Sequence, residues 1–101
     1  MRELEALVER GYFFQPVYDH AGEILVLVGS KGYLGFYDHI HIWDEHEAIA
    51  ARENGKDIVW AYEGTTVDTA LALLHLPGPD QPGAPRLARP KPTGLWLPKS
   101  E

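Results

Sequence analysis

Seven of the chain's eight prolines stand at or after Pro77, and that division bounds what the chain can fold into. From Pro77 the sequence reads PGPDQPGAPRLARPKPTGLWLPKSE. Proline cannot donate in a hydrogen-bonded ladder, and this segment has little apolar surface to bury, so residues 77–101 are expected to form an extended or disordered tail. The folded body is then residues 1–76. That is one domain with one core, and a body of this size buries only about 60% of the surface of its unfolded chain.

Within the body, periodicity marks the elements. In MRELEALVER, Leu4, Leu7 and Val8 recur at helical spacing opposite Glu3, Glu5, Glu9 and Arg10, and Gly11 follows, which predicts a helix over 2–10. Residues 12–18 and 23–28 are aromatic and β-branched runs separated by AGE, a hairpin pattern, and Pro16 assigns the first run to an edge. GSKG at 29–32 reads as a second turn. YLGFYDHIHIW then alternates: Leu34, Phe36, Ile40 and Ile42 point one way with Asp38 as the odd member, while Tyr37, His39, His41 and Trp43 point the other way.

Asp44 followed by Glu47 resembles a capping box, and Asn54-Gly55 resembles a helix stop, so a second helix is expected over 45–53. DIVWAYE reads as a fourth strand, with Ile58, Trp60 and Tyr62 on one face. A third helix, over 66–76, has Thr65 or Thr66 as cap, a stripe of Val67, Ala70, Leu71 and Leu74, and Pro77 as its stop. The order α-β-β-β-α-β-α implies an α+β domain, a small, mostly antiparallel four-stranded sheet with helices on one face.

Several function classes are disfavoured by composition. No cysteine is present, which excludes disulfides, thiolate nucleophiles and cysteine-based zinc sites. The net charge is −6. It is uneven: residues 1–77 hold 5 Lys/Arg and 13 Asp/Glu, or −8, and residues 78–101 hold 4 and 2, or +2. An acidic body repels phosphate backbones, so no direct nucleic-acid partner is expected. No apolar run approaches the roughly 20 residues of a membrane span, and the N-terminus lacks the basic and then apolar order of a secretory signal, so a cytoplasmic location without a membrane partner is expected. There is no phosphate-cradling glycine loop and no GxSxG elbow.

The chemistry concentrates in DHIHIWDEH, residues 38–46, which holds three of the five histidines. His39 and His41 on one strand face lie roughly 7 Å apart, one two-residue repeat, and could converge on a metal with His46 as third ligand. A catalytic histidine would need a carboxylate to orient it, and Asp38 and Asp44 both alternate onto the opposite face. The Tyr37, His39, His41 and Trp43 set suits a stacking and docking surface better. The sequence therefore leads to a non-enzymatic interaction module that binds another protein or itself, needs no cofactor, and uses Tyr37, His39, His41 and Trp43. In the tail, Leu95, Trp96 and Leu97 form an apolar cluster expected to dock. The alternative is a small metal-binding or hydrolytic protein built on His39, His41 and His46.

Overall fold

In the computed structural model, which describes residues 1–87 and the backbone of 89–90, the elements are α1 (Arg2–Glu9), β1 (Phe13–Tyr18), β2 (Ile24–Tyr33), β3 (Phe36–Asp44), β4 (Glu47–Glu53), β5 (Asp57–Gly64), α2 (Thr66–Leu74) and the two-residue β6 (Arg89–Pro90). β1 to β5 form an antiparallel meander in which each strand pairs with the next, and β6 adds to the β5 edge. The class is α+β, a five-stranded meander sheet flanked by two helices.

Helix α1 ends as its sequence requires. Gly11 takes φ 103°, the Gly11 N–H donates to Val8 O at 2.9 Å, and the Tyr12 N–H donates to Leu7 O at 3.0 Å. This double closure satisfies two terminal carbonyls and turns the chain into β1. Tyr12, expected in the strand, is the buried turn residue of that closure. Leu7 is fully buried, whereas Val8, its expected companion, is exposed. The Pro16 reading is met: among the described residues β1 is a sheet edge and pairs with β2 alone.

One turn falls in a different place from that expected. GSKG lies within β2, and the chain reverses at Leu34-Gly35, where Tyr33 pairs with Phe36 and Gly35 supplies φ 80°. Leu34 is therefore a fully exposed turn tip and does not share the Ile40 face. Gly29 has a packing reason to lack a side chain, because a Cβ there would meet the Phe14 ring at 2.5 Å. The ring lies across the glycine from the neighbouring strand.

The largest correction is at 45–53. Residues 47–53 are β4, the strand beside β3, and no helix forms there. The Asp44 carboxylate accepts from His46 N at 2.7 Å and so builds a tight turn, with Asp44 paired to Glu47 across Glu45-His46. Asn54 repeats the device at the other end, accepting from Lys56 N at 3.1 Å and Asp57 N at 2.7 Å, with Gly55 at φ 92°.

Both helices lie on one sheet face. Leu7, Tyr12, Ile40, Ala50, Ala70 and Leu73 form the core, with Phe14, Ile42 and Trp60 packed against it. Thr65 caps α2 by accepting from Asp68 N at 3.1 Å. The buried stripe of α2 is Thr66, Thr69, Ala70 and Leu73, while Val67 and Leu71 stay partly exposed. The helix is turned this way because Thr66 donates its hydroxyl to Asp44 O at 2.7 Å and its N–H to Glu45 O at 3.1 Å, tying the first turn to the β3–β4 turn.

Asp38, the odd member of the apolar face, is completed by Arg52 directly across from it on β4. Arg52 Nε and Nη2 donate to the two Asp38 oxygens at 2.6 and 2.8 Å, and Tyr12 Oη donates to Oδ2 at 3.3 Å. Arg52 Nη1 donates to Pro77 O at 2.7 Å, which holds the start of the proline-rich segment against the body. Gly78 to Ala84 then makes further turns, and Ala84 is buried.

Candidate functional site

The helix-free sheet face carries the residues singled out from the alternation. β3 presents Tyr37, His39, His41 and Trp43 there, since Asp38, Ile40 and Ile42 are committed to the helix side by pairing with Arg52, Ala50 and Ala48. The four rings form one continuous strip. Tyr37 and His39 have centroids 5.3 Å apart at 39°, His39 and His41 lie 5.1 Å apart edge-on at 83°, and His41 stacks on Trp43 at 6.1 Å and 24°.

Neighbouring strands widen the strip into a surface. Cross-strand partners share a face, so Val28 and Ile49 flank His41, and Ser30 and Ala51 flank His39. Further out, Phe13 pairs with Ser30 and Val17 pairs with Val26. Phe13 is 63% exposed, and Val17 and Tyr37 are each 43% exposed. His39, Val26, Ile49 and Ala51 are buried on this face although no helix among the described residues covers it.

The histidines have defined electrostatics. His39 Nε2 meets the Glu53 carboxylate, and His39 Nδ1 faces His41 Nδ1 at 3.4 Å. Two ring nitrogens facing each other require one donor and one acceptor, a condition that protonation of both rings would break. Burial, followed by the neighbouring His39, lowers His41 from the usual 6.5 to about 4, against a smaller upward pull from Glu53. His41 is thus neutral at physiological pH. Trp43 Nε1 is out of solvent with no acceptor among the described residues.

Of the residues expected to act together, Tyr37, His39, His41 and Trp43 are brought into one line. His46 is not part of it. It sits in the Glu45-His46 turn, 81% exposed, with Nε2 3.6 Å from Glu45. Among the described residues no group of three or more His, Asp or Glu side chains is placed to hold a metal ion. Leu95, Trp96 and Leu97 lie outside the described residues.

Glu53 was missed in the sequence because a helix over 45–53 gave it no tie to the strand face. Only the β3–β4 pairing delivers it to His39. Asp38 and Arg52 carried a faint signal, a lone acid on an apolar face and a lone base 14 residues on in an alanine-rich run. Both ring nitrogens of His39 are engaged, so the His39–Glu53 pair fixes a ring within the strip and offers no free nitrogen for proton transfer.

Among the described residues, no helix is long and apolar enough to cross a membrane. Comparison with known proteins adds no relative: no family model matches the chain, and neither a curated protein nor a solved structure matches it.

Proposed function

We propose that this chain is a small acidic interaction module that binds another protein, or a second copy of itself, through the helix-free sheet face. The observation that carries the reading is the asymmetry of the sheet. Both helices pack on one side, and the other side holds a strip of four aromatic rings flanked by exposed Phe13 and Val17. An apolar, aromatic patch of this kind is what protein interfaces are built around, with rigid rings as anchors and a polar rim. Tyr37 and Trp43 are the anchors at the two ends of the strip, and His39 and His41, edge-on to each other, form its centre. The acidic net charge favours a protein partner over nucleic acid.

Sedimentation of the wild-type chain at tens of micromolar, together with recovery of its bound partners from extract, tests the reading. Tyr37→Ser and Trp43→Ser should each weaken association at least ~30-fold, the scale of a 2 kcal/mol anchor, with circular dichroism unchanged. Leu71→Ser on the outer side of α2 is the control and should leave association intact. A wild-type monomer whose recovered partners are the same in all three variants contradicts the reading.

A further inference from the structure

The end of the sheet where the chain leaves the described structure carries a groove that fits one particular occupant. β6 runs antiparallel to β5, with Arg89 opposite Ile58 and Pro90 opposite Asp57. The described chain therefore ends at Pro90, next to the β4–β5 turn. That turn and the β2–β3 turn together line an open groove of about 300 Å³, with Tyr33, Gly35, Phe36 and Tyr37 on one side and Asn54 and Gly55 on the other. Beside the groove, the Leu34 side chain at the β2–β3 tip is wholly exposed. Apolar surface is thus concentrated at the exit point of the chain.

We infer that Leu95, Trp96 and Leu97 of the same chain seat in this groove. Reach allows it: Trp96 stands six residues after Pro90, an extended span of about 20 Å, while β3 is two strand spacings, about 10 Å, from β5. Chemistry favours it: two leucines around an indole match a groove walled by Tyr33, Phe36 and Tyr37, and glycines at 35 and 55 leave the backbone open to close approach. Over the whole chain the charges are complementary, +2 on residues 78–101 against −8 on residues 1–77, but Lys31 and Arg52 lie over the Tyr33 ring, so apolar contact and not local charge selects this groove. A tethered ligand binds at high effective concentration, so even a small contact is occupied. The inference needs no second molecule and shares only Tyr37 with the partner reading.

The chain lacks cysteine, so Ser100→Cys in the full-length protein gives a single attachment point for a nitroxide. Amide spectra should show signal loss focused on Gly35, Tyr37 and Gly55, with the Asp19–Glu23 hairpin spared. Adding Trp96→Ala to the same labelled chain should reduce the loss at those three amides severalfold and spread the remainder over the residues near Pro90. Mixing spin-labelled protein with isotope-labelled, spin-free protein should produce no loss. An identical pattern with and without Trp96 would overturn the inference, and so would loss in the mixed sample, which would place the triplet on a neighbouring copy.

Discussion

Arg52 is a charged side chain with 1% of its surface exposed, and it is tolerated because every direction in which its guanidinium points has a partner. Asp38 takes two of its N–H groups, Pro77 O takes a third, and the Tyr33 ring lies 5.4 Å from its centre. Burial alone would pull the Arg52 pKa down, but hydrogen bonding and charge from Asp38 outweigh it and leave the value raised. Burial, reinforced by Asp38, also raises the Tyr12 hydroxyl. Removing one member of such a pair strands the other, so Arg52→Met should cost about 3–5 kcal/mol of unfolding free energy by denaturant titration. The double change Asp38→Leu with Arg52→Met should recover most of that loss, because neither charge is then left buried. His41 makes a pH prediction with a defined sign. Its folded value of about 4 lies below the unfolded 6.5, so the unfolded chain binds more protons in that window. The stabilisation is full above 6.5 and is lost as the pH falls towards 4, on the order of 3 kcal/mol at most. The difference between wild-type and His41→Phe denaturation midpoints, followed from pH 7 to pH 4.5, should carry that slope.

Strand β4 shows where local preference and tertiary context part. EAIAARE is rich in helix formers, and read alone it favours a helix. In the fold it is the strand between β3 and β5, with Ala48, Ala50 and Arg52 facing the helices and Ile49 and Ala51 facing the ring strip, so residues 48–52 are all buried. Small side chains on the helix side let α2 come close, with Ala50 packed into the cluster that includes Ala70. Ala50→Leu should therefore destabilise by about 1–3 kcal/mol, measured by chemical denaturation, since added methylenes must displace α2. The D-x-x-E spacing that suggested a helix cap serves a turn here, because the same carboxylate can accept from an N–H two residues on. Strict alternation made β3 legible, and with it the ring strip. The hairpin, the edge role of β1, both terminal helices and the Thr65 cap were legible for similar local reasons. What stayed hidden depends on pairing: the Asp38–Arg52 contact, the Glu53–His39 contact and the strand identity of β4 exist only once β3 and β4 lie side by side.

The described residues form a two-layer fold: a meander sheet, helices on one side, and on the other an aromatic face that includes exposed Tyr37 and is bordered by exposed Phe13 and Val17. A body this small gains disproportionately from any further burial, which is why covering that face would stabilise the protein. Residues 78–101 carry +2 and residues 1–77 carry −8, so the sequence joins an acidic body to a basic C-terminal segment. Hydroxyl-radical footprinting of the full-length chain, free and in its associated or partner-bound state, tests the central claim most directly because it reads side chains one by one. Association should protect Phe13, Tyr37 and Val17 severalfold and leave Val67 and Leu71 on α2 unchanged. Equal protection on the two faces, or protection confined to α2, would contradict the account.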